Sequence, residues 1–270
     1  MPELPEVETT RRGIEPHILG KRITGVVIRQ PRLRWPIPRN LQRMLKGETI
    51  TRVERRAKYL LLETAKGHLI MHLGMSGSLR VLPPDTPPGP HDHFDLVFEA
   101  CCLRLRDPRR FGAVLWTRKD PMSHELIAHL GPEPLSDDFN GDYIHALATR
   151  RKVAVKNFIM DGKVVVGVGN IYASESLFMS GIHPQRAANR ISRARYETLA
   201  ENIKAVLSAA IAQGGTTLRD FQREDGKPGY FSQKLRVYGR SGEPCPNCGK
   251  PVSQRIIGQR SSYFCNHCQR

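Results

Sequence analysis

The chain has 270 residues, room for more than one compact domain. Lys and Arg number 42 against 26 Asp and Glu, a formal charge of +16 that points to a polyanionic partner. The opening MPELPEVE has no apolar core, and no apolar run approaches the ~18 residues of a membrane span, so a secretory or membrane-anchored protein is not expected and a cytoplasmic one is.

Taken in chain order, residues 5–18 carry the only helical signal of the first half. From about residue 20 to 120 the pattern is strand-like. ITGVVI, YLLLET, HLIMHL, FDLVFE and AVLWT recur at roughly 10-residue spacing between turn residues, which predicts an antiparallel sandwich or barrel. Residues 21–60 hold twelve Lys or Arg and only Glu48 and Glu54, interleaved with Ile, Val, Leu and Trp35 as on the outer face of a folded sheet. The proline-rich LPPDTPPGP at 82–90 is expected to be exposed, and the adjacent Cys101 and Cys102 to be buried in a strand. Beyond residue 120 the texture turns helical, with helices expected at 123–130, 140–149, 171–180 and 192–213. Ser192 suits an N-cap, and Gly214-Gly215 suits a stop. Gly169 before the helix at 171 lets backbone N–H groups approach a phosphate, although a turn would use glycine equally well.

Near the C-terminus, Cys245-Pro-Asn-Cys248 and Cys265-Asn-His-Cys268 are two C-x-x-C pairs separated by sixteen residues. Two such knuckles supply four thiolates at tetrahedral corners, and the spacer reads as a hairpin with strands at 252–257 and 261–264 about a turn at Gly258. A structural zinc ion, one per chain and with no open position for catalysis, is expected; His267 is expected at the surface. The segment 231–270 carries seven Lys or Arg against the single Glu243, which fits a nucleic-acid contact.

The first residues have two readings. Pro2 is small enough for Met1 to be removed in the cell, leaving a secondary amine. With an α-amino pKa near 8, roughly a quarter would be neutral at pH 7.5. Equally, Pro5 and the acids around it would simply start a helix, because carboxylates suit its positive end.

The ordered series PELPEVE (2–8), RRAKYLL (55–61), HLGMSGSL (72–79), HDH (91–93), DPRRFG (107–112), HLGPEPL (129–135), VGVGNIYASE (166–175), QGGTTLRDF (213–221), DGKPGYF (225–231) and the four-cysteine finger spans essentially the whole chain. In these motifs the sequence resembles the bacterial formamidopyrimidine-DNA glycosylases, in the family they share with endonuclease VIII. The resemblance implies a multidomain α+β protein with an N-terminal antiparallel β-sandwich catalytic domain over 1–133. A helical DNA-binding domain with a helix–two-turn–helix motif would follow over 134–230, and a zinc finger over 231–270. It implies a monomeric glycosylase and abasic-site lyase of base excision repair, acting on double-stranded DNA that contains oxidised purines or abasic sites. Pro2 would be the nucleophile, Glu3 the acid and Glu6 its support. Lys58 would help base loss and β-elimination, and Arg260 would serve as phosphate clamp. Met75, Arg109 and Phe111 would fill the gap left by the flipped nucleotide. His91, Arg109, Arg110, Arg151, Lys156, Asn170 and Tyr238 fall at DNA-binding positions. The loop 214–230 would close over the lesion. An oxidised-pyrimidine glycosylase of the endonuclease VIII type and a non-catalytic zinc-finger DNA-binding protein are the alternative readings.

Overall fold

A computed structural model of the chain describes residues 2–214 and 235–270. They form two compact units, residues 2–128 and residues 129–213 with 235–270. The loop expected to close over the lesion, apart from Gly214, lies outside the described residues, as does Met1.

The first unit begins with helix α1, Leu4–Ile18, whose Val7, Ile14 and Ile18 are buried. After strand β1 (Gly25–Ile28) and the short helix α2 (Leu41–Leu45) come β2 (Arg52–Arg56), β3 (Tyr59–Thr64), β4 (Gly67–His72), β5 (Ser78–Leu82), β6 (Asp92–Val97), β7 (Cys102–Arg106) and β8 (Ala113–Thr117). They build two four-stranded antiparallel sheets, ordered β1-β6-β7-β5 and β2-β3-β4-β8. Leu60, Leu62, Leu69 and Met71 of one sheet and Phe94, Leu96, Leu103 and Leu105 of the other share one apolar core with α1. This is the expected sandwich: each sheet has an apolar face that must be covered, and the two faces cover one another.

Two expectations need correcting. The segment 123–130 is not a helix. Pro121–Ser123 forms one 3-10 turn capped by the Asp120 carboxylate on the Met122 N–H, and turns follow. With Ile127 the only buried apolar side chain of this stretch, no continuous apolar stripe rewards a longer helix. Cys101 lies just before β7 and is only half-buried, whereas Cys102 is inside the strand and buried. The proline-rich loop is largely exposed as expected.

The second unit contains α3 (Gly141–Ala148), α4 (Val155–Ile159), α5 (Asn170–Met179) and α6 (Arg193–Ala212), then the hairpin β9 (Ser253–Ile257) and β10 (Arg260–Phe264). Asn140 and Ser192 cap α3 and α6 through their side-chain oxygens. The finger packs into this unit: Phe178 of α5 shares a small core with Val237, Val252, Cys245 and Cys265. Among the described residues no helix is long and apolar enough to cross a membrane.

Candidate active site and nucleic-acid interface

In the first unit the candidate residues lie at the start of α1, at one hairpin turn and on three loops. Pro2 leads directly into α1, and Glu3 is its N-cap. Glu6 reaches back to accept the Glu3 N–H at 2.9 Å, and both acids are 2% exposed. The helix start read from the sequence is therefore present, and it brings two carboxylates to the chain's first residues.

Lys58 occupies the two-residue turn between β2 and β3, where Arg56 pairs with Tyr59. Its neighbour Ala57 sits at φ 55°, a left-handed conformation that a β-carbon resists by about 1–2 kcal/mol. Arg55 holds this turn. Its Nη1 donates to the Ala57 carbonyl at 2.8 Å and its Nε to Glu8 of α1 at 3.1 Å, so the turn is tied to the helix that begins at Glu3. Burial pushes the Glu8 carboxyl up, but hydrogen bonds from Arg11 and Arg12 and the charges of Arg11 and Arg55 outweigh it and hold the group below its ordinary value.

Behind Lys58 stands His72. Burial, then Lys58 and Arg34, lower its pKa from 6.5 to about 4, so it is neutral at physiological pH. Its Nδ1 can then accept the Gly74 N–H, at 3.0 Å, immediately before Met75. The sign of the linkage is clear. Between pH 6.5 and 4 the unfolded chain binds a proton that the folded chain refuses, so stability present above 6.5 is lost as the pH falls. The loss reaches at most about 3 kcal/mol near pH 4. Thermal melts across this range are expected to fall less steeply for His72→Asn, which keeps an acceptor near the Nδ1 position but cannot titrate; parallel curves would refute the assignment.

Met75 and the Arg109–Phe111 segment lie on adjoining loops. Gly74, at φ 65°, comes so close to the neighbouring loop that an added β-carbon would sit 2.5 Å from the Gly112 nitrogen and the Phe111 carbonyl carbon. Phe111 is 44% exposed, a costly position for a phenyl ring in a free protein, and the Arg109 guanidinium lies 4.9 Å over it. Arg110, at φ 55°, is exposed on the same loop, while His91 is half-buried just before β6.

In the second unit Lys156, Asn170 and Tyr238 come together at the base of the finger. Lys156 is fully buried and donates to Asn170 Oδ1, to Ser262 Oγ and, at 3.3 Å, to the Ser261 carbonyl. Asn170 donates to the same carbonyl at 2.9 Å and lies 3.4 Å from the Tyr238 hydroxyl. Arg260 is exposed at the start of β10, beyond a Gly258-Gln259 turn in which both residues have positive φ, as a type I′ hairpin requires. Arg151 is exposed beyond α3, where its N–H donates to the Ala148 carbonyl at 2.8 Å.

Three family descriptions match: the formamidopyrimidine-DNA glycosylase N-terminal domain over residues 1–114, the H2TH domain of the same glycosylase over 130–222, and the zinc finger found in FPG and IleRS over 242–270. A formamidopyrimidine-DNA glycosylase of Syntrophotalea carbinolica is 62% identical over 271 residues, covering all of both chains. The chain belongs to the formamidopyrimidine-DNA glycosylase family. Among solved structures, MutM (Fpg) of Thermus thermophilus matches with a TM-score of 0.89 at 38% identity, over 99% of this chain and 98% of that one. Lactococcus lactis Fpg matches with a TM-score of 0.93 at 32% identity over all of both chains; it is seen with DNA containing an abasic site and, as a mutant, with Fapy-dG DNA.

The finger fits the zinc that the family implies. The four cysteine sulfurs lie within 4.8 Å of one another, with Cys245–Cys268 at 3.9 Å and Cys248–Cys265 at 3.6 Å. Zn–S bonds of about 2.3 Å in a tetrahedron place the sulfurs about 3.8 Å apart. His267 is exposed and contacts Lys250, outside the donor set.

Some residues at these sites carry no sequence signal of their own. Glu175 of α5 is 3% exposed and accepts the N–H groups of Arg236, Val237 and Tyr238, so it fixes the turn segment that carries Tyr238. Ser262, Arg55 and His72 support their neighbours in the same way. Their partners are distant in sequence, and only the motifs around them marked the regions.

Proposed function

We propose that the protein is a bifunctional DNA glycosylase and abasic-site lyase that removes oxidised purines, 8-oxoguanine and formamidopyrimidines, from double-stranded DNA and then cuts the strand. The observation that carries this reading is the chain's start, where Pro2 is followed at once by two buried carboxylates at a helix N-terminus. A base inside a duplex cannot be reached, so the nucleotide must leave the stack. Met75 and Phe111 are suited to fill the gap as apolar wedges, and Arg109 can hydrogen-bond the orphaned base.

The Pro2 nitrogen attacks C1′ of the flipped nucleotide; the N–C1′ bond forms as the glycosidic bond breaks, and the base departs with the bonding electron pair, taking up the proton that the Pro2 nitrogen gives up. Glu3 protonates the sugar ring oxygen as the ring opens, leaving a protein–sugar iminium. Because Pro2 is a secondary amine, that iminium is a fixed cation. It draws electrons from C2′, whose proton is lost as the 3′ phosphate leaves, and a second elimination expels the 5′ phosphate. Lys58 supplies positive charge and proton transfer beside this chemistry. Arg260, which keeps its proton, acts as an electrostatic phosphate clamp. His91, Arg110, Arg151, Lys156, Asn170 and Tyr238 serve the DNA backbone, with buried Lys156 acting through Asn170 and the Ser261 carbonyl. The zinc takes no part in the reaction; its four cysteines hold the hairpin that carries Arg260.

On this reading the functional divisions are a catalytic domain over 1–133, a helical DNA-binding domain over 134–230 and the finger over 231–270. The protein acts as a monomer at the nucleoid, in the bacterial cytoplasm.

Borohydride reduction during turnover tests the proposal. A covalent protein–DNA adduct is expected with 8-oxoguanine duplex and is expected to vanish when the N-terminal amine is blocked. Lesion binding without an adduct would instead indicate a non-catalytic DNA-binding protein. Preferential trapping on oxidised-pyrimidine duplex would indicate an enzyme of the endonuclease VIII type.

A further inference from the structure

Asp107 is completely buried, at 0% exposure, in a loop whose Arg109, Arg110 and Phe111 are exposed. A buried carboxylate is costly unless it is hydrogen-bonded, so the placing of its bonds shows what it holds. One oxygen, Oδ2, accepts the Gly112 N–H at 2.7 Å, directly after Phe111. The other, Oδ1, accepts from the Ser76 hydroxyl at 3.3 Å, directly after Met75. The backbone of the same residue continues the pattern. Its carbonyl accepts the Arg110 N–H at 3.1 Å and lies 2.9 Å from His93 Nε2, and its N–H donates to the His91 carbonyl at 3.0 Å. Both loops that carry the wedge, and the segment that carries His91, therefore meet on one side chain and its own peptide groups.

We propose that Asp107 is the positioning residue of the wedge: its carboxylate holds the Met75 loop and the Arg109–Phe111 loop in one register. The inference rests on the reading of Met75, Arg109 and Phe111 as the residues that fill the gap behind a flipped nucleotide. Apolar contact alone would leave these two loops free to slide, because they touch through glycines with no side chains to interlock, Gly74 and Gly112. A carboxylate is suited to the latch because it can accept from both loops at once, and each bond gains from the charge. Ser76 is 4% exposed and completes the second arm, so water does not compete there. With the latch broken, Phe111 and Met75 would keep their chemistry but enter the duplex out of step.

The test compares two rates in each variant: base release from an 8-oxoguanine duplex, which needs the wedge, and β-elimination from a single-stranded oligonucleotide carrying an abasic site, where no duplex need be opened. For Asp107→Ala the ratio of duplex to single-strand rate is expected to fall about ten- to a hundredfold, the effect of losing hydrogen bonds to a charged group. Asp107→Asn is expected to recover most of that ratio, since an amide can accept from Gly112 while donating to a rotated Ser76 hydroxyl. Ser76→Ala, which removes one arm without touching the buried charge, is expected to lie between, and it keeps the test open should Asp107→Ala fail to fold. A normal ratio in Ser76→Ala and Asp107→Ala, or an equal fall in both rates, would overturn the proposal. Phe111→Ala, measured alongside, separates the two readings. If it lowers the ratio while the Asp107 and Ser76 variants do not, only the latch fails; if it leaves the ratio as it was, the wedge reading itself is wrong.

Discussion

Replacing Glu3 with glutamine is expected to slow release of 8-oxoguanine from duplex DNA by about 10²- to 10⁴-fold, the range for loss of a positioned acid. The substitution preserves shape and the ability to cap α1. It also leaves untouched the Glu3 N–H that Glu6 accepts at 2.9 Å. What disappears is a proton for the sugar. The same variant is expected to form a borohydride-trapped adduct with DNA that already contains an abasic site, because an open-chain aldehyde has no base to lose and needs only the Pro2 amine. Single-turnover excision and trapping on the two substrates give the comparison. Equal loss on both would mean that Glu3 merely holds the chain's start in place, and undiminished excision would remove it from the chemistry.

How much of this was legible in the sequence differs from element to element, and for physical reasons. The strands β3, β4 and β8 were readable because burial writes dense apolar runs. β2 was not: in RVERR only Val53 faces the core, and the remaining four side chains are polar. β7 announced itself only through Cys102 at its start. Its Arg104 is 2% exposed and neutralised by Asp95 at 2.9 Å, so a charge sits where the pattern asks for a hydrophobe. The helices α2 and α4, five residues each, are too short for a 3.6-residue period to show. The cysteine spacing was decisive because zinc geometry is local to each knuckle. At the other extreme, Asp107 partners Ser76 from 31 positions away, and nothing in an acidic residue before a proline announces that. The chain's start lies between these cases. By residue chemistry alone PELPEVE is an ordinary helix start, and the helix is indeed there. Its reading as a reactive centre came from the family resemblance, because a helix N-cap and a catalytic acid use the same carboxylate.

Removing the zinc is expected to abolish DNA binding while leaving the β-sandwich unit folded. Among the described residues the core that the finger shares with Phe178 of α5 is small: Val237, Val252 and the buried cysteines. So few apolar side chains cannot order forty residues, and a structural zinc contributes about 10–16 kcal/mol of folding free energy in such modules. Without it the β9–β10 hairpin loses its anchor, and Arg260 loses its fixed position beside the turn. The damage extends into the helical part of the same unit, because the Ser261 carbonyl holds both Lys156 and Asn170. A fully buried ammonium that loses that carbonyl and the Ser262 hydroxyl is left less well solvated, and Asn170 loses the carbonyl that it shares with Lys156. Affinity for lesion duplex, read by fluorescence anisotropy after chelation, is therefore expected to drop at least about a hundredfold. That is more than the tenfold or so expected from one phosphate contact. Limited proteolysis should then cut within 235–270 while the first unit stays intact, and added zinc should restore binding. A chelated protein that still bound DNA at full strength would show that the hairpin stands without its metal and that Arg260 does not depend on it.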